Sequence, residues 1–275
     1  MSAAPSPMHQ VSACIVVYRN DPEQVEASIR SVLSSQIRAI CTVVDNSPTP
    51  ELREVAAATG AEYIFPGRNL GFGGGHNLAM RVNRQRAEYC LIQNPDIRFS
   101  QEVLPALYRY MSEHPDAGIV MPRILYPDGS EQRLCKRLPE PLDLVARRFL
   151  GSWGEGLFKT RLDRYELRHL DLNVVREVPN LSGCFMFIRS AALEKTGYFD
   201  ERFFMYMEDV DLCRRIGRHY KTMFFPGVSV QHEYAKGSYR SLPLLRLHAL
   251  SAIRYFSKWG WFRDPERDAL NQRSL

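Results

Sequence analysis

The stretch that decides the fold is Val11-Ser12-Ala13-Cys14-Ile15-Val16-Val17, followed closely by Asp21-Pro22-Glu23. The first run is short, apolar and rich in β-branched residues, which predicts a buried strand. The second run has a capping residue, a proline at the first helical position and an acid in the first turn, which predicts a helix start. This part of the chain is therefore predicted to be a strand that leads directly into a helix.

The same alternation continues through the first hundred residues. Further strands are predicted at Ala39 to Val44, Glu62 to Phe65 and Tyr89 to Gln93, with helical stretches between them. Strands that alternate with helices at this spacing are typical of an α/β fold with a mostly parallel, doubly wound sheet flanked by helices. We predict one domain over residues 10–235 and a C-terminal amphipathic helical segment over residues 236–275.

The overall composition is that of a globular protein. Apolar residues make up 45% of the 275 residues and charged residues 24%. The formal net charge of +5 is too small and too dispersed to indicate nucleic-acid binding. The six cysteines form no Cys-x-x-Cys pair, which predicts buried free thiols in a reducing cytosol. No run approaches the roughly 18 apolar residues needed to span a bilayer, so we expect a cytoplasmic protein, soluble or peripheral on the inner face of the plasma membrane.

Polar clusters follow several of the predicted strands, where ligands of doubly wound sheets bind. Asp45-Asn46 follows the second strand and Asn94-Pro95-Asp96 follows the fourth. Pro95 cannot continue a central strand, so the chain turns there and presents Asp96 at the edge of the sheet. A carboxylate at this position can bind Mg²⁺ or Mn²⁺ together with phosphate oxygens. The alternative interpretation is a plain Asx-Pro turn.

A glycine-rich stretch follows the third strand, with four glycines between Gly71 and Gly75. It leads into a predicted helix, whose free N–H groups favour an anion. It matches neither the dinucleotide fingerprint nor the P-loop. Arg68 and Asn77 flank it and are in reach of a bound diphosphate. The alternative is a flexible loop without a ligand.

The acidic run Glu208-Asp209-Val210-Asp211 opens a predicted helix. Acids in a first turn can simply offset the helix dipole. The preceding stretch, Arg202 to Met207, is apolar and aromatic, and a carboxylate beside such a surface tends to have a raised pKa, which suits a general base. His232 ends a later predicted strand, where it is either structural, a second metal ligand beside Asp96 or a phosphate clamp.

These motifs together resemble the family 2 glycosyltransferases of the GT-A type, and among them bacterial rhamnosyltransferases of polysaccharide and cell-wall assembly. Any one motif is weak, whereas their order and spacing are specific. The matching motifs are Val17-Tyr18, Val44-Asp45-Asn46-Ser47, Asn69-Leu70-Gly71-Phe72-Gly73 with Asn77, Asn94-Pro95-Asp96, Ser182-Gly183-Cys184 and the run from Gly197 to Leu212.

The resemblance implies a role for each matching position. Asp45 would hydrogen-bond the pyrimidine of a nucleotide-sugar donor, with Tyr18 near the base. Asn94 stands where many relatives carry the first acid of Asp-x-Asp. Asp209 would be the catalytic base. The residues implied are Asp209, Glu208 and Asp211 for catalysis, Asp96 and His232 for Mg²⁺ or Mn²⁺, and Val17, Tyr18, Asp45, Arg68, Asn69, Gly73, Asn77, Asn94 and Asp96 for the donor.

The function implied is inverting, metal-dependent transfer of L-rhamnose from dTDP-L-rhamnose to a saccharide or lipid-linked saccharide, as in O-antigen, lipopolysaccharide or other bacterial envelope assembly. Another UDP-, dTDP- or GDP-sugar is an open alternative. A sugar nucleotidyltransferase is disfavoured because Tyr18-Arg19-Asn20-Asp21 stands where a basic, glycine-rich loop is expected. A non-catalytic nucleotide-sugar binder is disfavoured by Asp209 and Asp211.

The stretch from Leu242 to Asp268 mixes leucines and aromatic residues with arginines and a lysine. This pattern predicts an amphipathic helix. Two interpretations are open: a helix that packs on the domain, and a helix that attaches peripherally to an anionic bilayer and so brings the site to a lipid-linked acceptor.

Overall fold

The computed structural model describes residues 8–149, 156, 158–233 and 242–274. Residues 236–241, the beginning of the predicted C-terminal segment, lie outside the described residues. The strands are β1 (His9–Val17), β2 (Ala39–Asp45), β3 (Glu62–Ile64), β4 (Ala87–Gln93), β5 (Ile97–Arg98), β6 (Ala117–Leu125), β7 (Arg176–Glu177), β8 (Phe185–Arg189) and β9 (Lys221–His232). The helices are α1 (Pro22–Leu33), α2 (Arg53–Thr59), α3 (Gly71–Val82), α4 (Val103–Glu113), α5 (Pro141–Phe149), α6 (Lys159–Tyr165), α7 (Ser190–Thr196), α8 (Glu208–Gly217), α9 (Leu242–Trp259) and α10 (Pro265–Gln272).

Within the described residues, all nine strands belong to one sheet, in the order β3-β2-β1-β4-β8-β6-β9-β5, with β7 also paired to β9. The strands β3, β2, β1 and β4 are parallel, as predicted from the first hundred residues. β8 runs antiparallel to both of its neighbours, β4 and β6, whereas β6 and β9 are parallel. The α/β class is confirmed, and the second half of the sheet adds the antiparallel pairings.

The register brings the ends of distant strands to one edge of the sheet. Val17, at the end of β1, is the direct partner of Asp45, at the end of β2. On the other side, Ile97 in the short strand β5 pairs with His232, the last residue of β9. The central strands β2, β4 and β8 contain continuous buried runs, because successive apolar residues fill both faces of the sheet there. All six cysteines are free and buried, as predicted.

The C-terminal segment forms α9 and α10, which pack against the rest of the molecule. Tyr255 and Phe256 of α9 join Phe203, Met207 and Val210 in a second, smaller hydrophobic cluster. The inner face of α9 is therefore fixed next to the start of α8. No described helix is long and apolar enough to cross a membrane.

The glycine-rich stretch is the beginning of α3 and serves close packing. Gly71 has a φ of +75°, and a Cβ atom there would lie 2.2 Å from the carbonyl oxygen of Phe204. A Cβ atom on Gly75 would lie 2.9 Å from the side chain of Val16 in β1. The N–H group of Phe72 donates to the Phe204 carbonyl at 2.9 Å. The first turn of α3 is thus occupied by protein groups, which differs from the open anion site or flexible loop expected from composition.

Gly71→Ala is expected to lower the free energy of unfolding by about 3 kcal/mol or more, because the new methyl group meets both a left-handed backbone and the Phe204 carbonyl. Gly60→Ala is the matched control, since Gly60 has a φ of +80° with no atom within 4 Å of the added Cβ. Urea unfolding of both variants separates the clash from the backbone strain. Equal destabilisation of the two would contradict the close approach of Phe204 to α3.

Candidate active site

Asp209 lies in the first turn of α8, and two backbone groups fix its carboxylate. The N–H group of Gly183 donates to Asp209 Oδ2 at 2.9 Å, and the N–H group of Val210 donates to Oδ1 at 2.8 Å. The two residues before α8, Tyr206 and Met207, have φ values of 70° and 68°, a conformation that costs energy in non-glycine residues. The chain therefore enters α8 through a strained turn that determines where Asp209 lies.

Glu208 lies beside Asp209 in a different environment. It is buried, and its Oε2 atom has no hydrogen-bond partner among the described residues. Burial raises the pKa of this carboxyl group to about 8, and the nearby Asp209 carboxylate adds to the increase. Gly73 of α3 packs close to it, since a Cβ atom added to Gly73 would lie 3.8 Å from Cβ of Glu208. At neutral pH Glu208 is therefore mostly protonated.

Asp211 was expected as a supporting acid, and the structure places it in a structural ion pair. Its side chain is fully buried, with Arg215 Nε 2.8 Å from Oδ2. Lys258 Nζ and Trp259 Nε1 donate to Oδ1 at 2.6 and 2.8 Å. Two helical residues separated by one position point about 200° apart, so Asp211 and Asp209 lie on opposite sides of α8. Asp211 anchors α9 to α8.

A second constellation forms where β5 pairs with β9. His232 Nε2 lies 3.3 Å from Asp96 Oδ1 and 3.4 Å from Asn94 Nδ2. Gln132 holds the other side of the imidazole ring. Its amide nitrogen donates to the His232 carbonyl at 2.8 Å, so its Oε1, 3.0 Å from His232 Nδ1, is the acceptor for an Nδ1–H group.

This arrangement fits a divalent cation. With the proton on Nδ1, the neutral imidazole of His232 directs the lone pair of Nε2 toward Asp96. Asp96 Oδ1 is buried and has no hydrogen-bond partner among the described residues. The Asn94 amide group, 3.4 Å from Nε2, can donate to the ring, whereas Asp96 Oδ1 lacks a donor among the described residues, and a second proton on the ring or a cation between the two atoms would satisfy it. Adjacent ligands of an octahedral Mg²⁺ are roughly 3 Å apart, close to the observed separation.

The described residues contain no group of three or more His, Cys, Asp or Glu side chains arranged to hold a metal ion. Two protein ligands are nevertheless typical of Mg²⁺ sites that are completed by water and substrate phosphates. Asp96 and His232 are therefore the residues of this chain that would hold such an ion, with Asn94 at their side.

Cys184 connects this pair with the base. The carbonyl of Cys184 accepts a hydrogen bond from the N–H group of Asn94 at 2.9 Å, and Gly183, which binds Asp209, precedes it. Burial raises the pKa of the Cys184 thiol to about 12, and the carboxylates of Asp96 and Asp209 both contribute to the increase. Consecutive residues, Gly183 and Cys184, therefore bind Asp209 on one side and the Asn94-Pro95-Asp96 turn on the other, which joins the Asp96–His232 pair and Asp209 through one short segment.

The predicted nucleotide end lies at the ends of β1 and β2. Asp45 is fully buried, and its oxygens accept hydrogen bonds from the Ser47 N–H group at 2.9 Å and the Tyr63 hydroxyl at 2.7 Å. Tyr18 is 47% exposed, with the guanidinium of Arg19 5.5 Å from its ring centre. The buried residue Val17 supports this end through its backbone, whose carbonyl accepts from the Asn46 N–H group. Tyr63 gives no motif in the sequence, although its bond fixes the orientation of the Asp45 carboxylate.

The residues around the glycine stretch divide into two groups. Asn77 is buried and clasps a neighbouring segment: it donates to the Phe199 carbonyl and to Glu201 Oε1, and it accepts from the Phe199 N–H group, each at 2.9 Å. The structure thus places Asn77 and the buried Gly73 in packing contacts. Arg68 and Asn69 are exposed, and Asn69 Oδ1 also caps the Gly71 N–H group at 2.9 Å. Of the two predicted diphosphate contacts, Arg68 and Asn77, the structure leaves Arg68 accessible, and Asn69, predicted as a donor contact, is accessible beside it.

Lys136 is a buried titratable group that the sequence did not single out. Its backbone is joined to Asn180 by two hydrogen bonds of 3.1 and 3.2 Å. Burial lowers the pKa of its ammonium group to about 8, and Arg147 adds to the decrease, while Glu166 and Asp209 oppose it. It forms no recognisable motif in the sequence.

Comparison with known proteins assigns the chain to a family. Residues 12–197 match the family model described as glycosyl transferase family 2. This chain belongs to glycosyl transferase family 2. The matched range contains Asp45 and Asp96 and ends before Asp209 and His232, so the family assignment is independent of the base and of the histidine.

Several characterised relatives are named for glycosyl transfer. An N-acetylglucosaminyl-diphospho-decaprenol L-rhamnosyltransferase of Mycobacterium tuberculosis is 30% identical over 216 residues, which cover 73% of this chain and 69% of the relative. The low-salt glycan biosynthesis hexosyltransferase Agl10 of Haloferax volcanii is 29% identical over 215 residues, 77% of this chain and 62% of that protein. The rhamnosyltransferase WbbL of Escherichia coli is 23% identical over 256 residues, 89% of this chain and 92% of WbbL. The chain is therefore a glycosyltransferase, which uses a nucleotide-sugar donor and a saccharide acceptor.

Solved structures show the same fold at low sequence identity. TarS of S. aureus superposes with a TM-score of 0.57 and 14% identity over 95% of this chain, which spans 42% of the TarS chain. The mannosyltransferase PcManGT from Pyrobaculum calidifontis, in complex with GDP-Man and Mn²⁺, has a TM-score of 0.56 and 16% identity over 97% of this chain and 76% of its own. These similarities confirm the predicted GT-A fold.

Proposed function

We propose that this glycosyltransferase moves L-rhamnose from dTDP-L-rhamnose to a lipid-linked saccharide, with inversion at the anomeric carbon and with a divalent cation. The observation that carries the proposal is one short segment that joins the two groups: the Gly183 N–H group binds Asp209, and the Cys184 carbonyl binds the turn that carries Asp96 beside His232. The choice of rhamnose is supported by the M. tuberculosis and E. coli relatives, which are named as rhamnosyltransferases.

The chemistry is a single displacement. The acceptor hydroxyl attacks the anomeric carbon as the bond from that carbon to the diphosphate oxygen breaks, and Asp209 takes the hydroxyl proton, as the base of an inverting glycosidase does. Asp96 and His232 would hold a Mg²⁺ or Mn²⁺ ion, which would offset negative charge on the departing diphosphate. The neutral carboxyl of Glu208 keeps a second negative charge away from the leaving group.

The remaining residues would position the two substrates. The exposed Tyr18 would contact the nucleobase beside the buried Asp45, which supports this end of the site from below, and Arg68 and Asn69 would contact the diphosphate. Lys136 belongs to the irregular stretch between β6 and β8, which we assign to the acceptor. Its ammonium would orient the acceptor hydroxyl or an anionic group that the acceptor carries.

The relative from M. tuberculosis is named for an acceptor in which a sugar is joined to decaprenol through a diphosphate. We propose an acceptor of this chemical class, a saccharide on a polyprenyl diphosphate, for the present chain. The reaction would then take place at the inner face of the plasma membrane, during assembly of an envelope polysaccharide.

A donor screen by thermal unfolding in Mn²⁺ tests the proposal. A ligand that binds only the folded protein at 100 times its dissociation constant stabilises it by about 2.7 kcal/mol. We expect the largest increase in Tm with dTDP-L-rhamnose, compared with UDP- and GDP-sugars. The comparison with dTDP-glucose isolates recognition of the sugar from recognition of the nucleotide. A larger increase with a UDP- or GDP-sugar would contradict the proposed donor.

A further inference from the structure

The outer face of α9 is exposed along the whole helix. Leu242 is 74% exposed, and Leu250 and Ile253 are each 50% exposed. These positions recur at the spacing of one helical side. The exposed residues of α9 are Leu242, Pro243, Arg246, Ala249, Leu250, Ile253, Arg254 and Ser257. Just beyond the helix, Phe262 is 85% exposed.

The charge on this face has one sign. No acidic residue occurs between Leu242 and Trp259, whereas Arg246 and Arg254 lie among the exposed apolar side chains. At one end of the face, a pocket of about 430 Å³ is lined by Arg202, Phe203, Arg254, Ser257 and Lys258. Asp200 and Asp211 pair with Lys258, and Asp200 also pairs with Arg202. The three basic side chains that line the pocket outnumber these two carboxylates, so the pocket has a net positive charge.

We propose that the outer face of α9 docks on an anionic lipid bilayer, with the leucine and isoleucine side chains in the headgroup region and lipid phosphates at Arg246, Arg254 and the adjoining pocket. Exposed apolar groups interleaved with basic groups, on a helix without acids, are the pattern of an interfacial helix. Basic residues next to an anionic leaflet strengthen such binding. Phe262, next to the helix, would add a further apolar contact.

Charge argues against a second copy of the chain as the occupant of this face. A two-fold symmetric contact places the same patch of both copies together. Arg246 and Arg254 of one copy would then meet the same arginines of the other, with no acid of α9 to separate them. Phosphate groups of lipids supply the missing negative charge.

The docked helix would hold the base segment close to the bilayer. Ser251 Oγ donates to the Met205 carbonyl at 2.8 Å, and the rings of Tyr206 and His248 are 4.9 Å apart. Both contacts are made with residues that lead directly into Glu208 and Asp209. The benefit of this arrangement for a lipid-linked acceptor depends on the proposed function, whereas the docking itself does not.

Flotation of the full chain with vesicles tests the docking without any sugar substrate. We expect binding to vesicles of phosphatidylcholine mixed with phosphatidylglycerol, weaker binding at high salt, and little binding to phosphatidylcholine alone. R246Q/R254Q is expected to weaken partitioning by about 25-fold, since each basic residue near such a surface contributes about fivefold. L250S/I253S is expected to weaken binding at all salt concentrations.

The control is R38Q/R109Q, which removes the same charge from two exposed arginines elsewhere on the surface. It is expected to bind as the wild type does. Equal loss with R38Q/R109Q and R246Q/R254Q, or equal binding of the wild type to both kinds of vesicle, would overturn the proposal. A dimer detected by light scattering and abolished by L250S/I253S would assign the face to a second copy instead. Free inorganic phosphate that competes fully at millimolar concentration would show a simple anion site and would also overturn it.

Discussion

Asp209→Asn is expected to lower kcat for glycosyl transfer by about 10²–10⁴-fold, the usual contribution of a positioned general base. The amide keeps the size of the side chain and can still accept a hydrogen bond from Gly183 or Val210, but it cannot take the hydroxyl proton. The donor contacts proposed at Tyr18 and Arg68 are untouched. Single-turnover transfer measures the loss, and calorimetry with the donor is expected to give an unchanged Kd.

Glu208→Gln is the matched control, because it makes the same chemical change at the adjacent carboxyl group. Burial raises the pKa of Glu208 to about 8, so at pH 7 the glutamine replaces a carboxyl group that is already mostly neutral. We expect its effect on kcat to be at least tenfold smaller than that of Asp209→Asn. If the two variants lose the same activity, or if Asp209→Asn retains wild-type activity, Asp209 is not the base.

The parallel part of the fold is the part that local sequence predicts best. The runs that begin at Val11 and Ala39 are both apolar and rich in β-branched residues. Each property predicts a buried strand, so the local signal is strong. The antiparallel strand β8 is equally apolar in sequence, but its direction is set by pairing with β4 and β6, which are distant in the chain. Strand direction in the second half therefore cannot be obtained from local sequence.

The site was harder to predict for residues whose side chains serve packing. Asn77 and Asp211 carry the polar groups expected of ligand contacts, and the structure uses those groups to join distant segments of the chain. The partners of Asn77 are more than 120 residues away, so no local pattern reveals them. The glycines of α3 are explained in the same way, because the atoms they make room for belong to Val16, Phe199 and Phe204.

Gln132 and Lys136 illustrate the opposite case, in which the sequence carries no signal and the fold supplies a neighbour. Gln132 is 100 residues from His232, yet it contacts both the ring and the backbone carbonyl of that residue. Lys136 pairs through its backbone with Asn180, which is also distant in the sequence. Asp96 and His232, by contrast, were predicted from their positions at strand ends, and the pairing of β5 with β9 does bring them together.

Asp96→Asn is expected to weaken Mn²⁺ binding in the presence of dTDP by about 100-fold or more, because it removes the only carboxylate of the proposed pair. Gln132→Leu is expected to weaken it by about 10–100-fold without removing a ligand. The loss of the Nδ1–H acceptor frees the His232 ring to rotate and to move its proton to Nε2. Isothermal titration of Mn²⁺ into the protein–dTDP complex measures both effects without any transfer reaction.

Asp116→Asn serves as the charge-matched control for Asp96→Asn. Asp116 pairs with Lys221 at the opposite end of β9 from His232, at a distance of 2.7 Å. If Asp96 and His232 form a cation site, Mn²⁺ binding is expected to be weakened most by Asp96→Asn and less by Gln132→Leu. Asp116→Asn is expected to bind Mn²⁺ as the wild type does. If Gln132→Leu binds Mn²⁺ as tightly as the wild type, the histidine is not a ligand. If Asp96→Asn also binds normally, the close approach of Asp96 and His232 is an ion pair of the protonated ring, and any cation is held by the donor diphosphate alone.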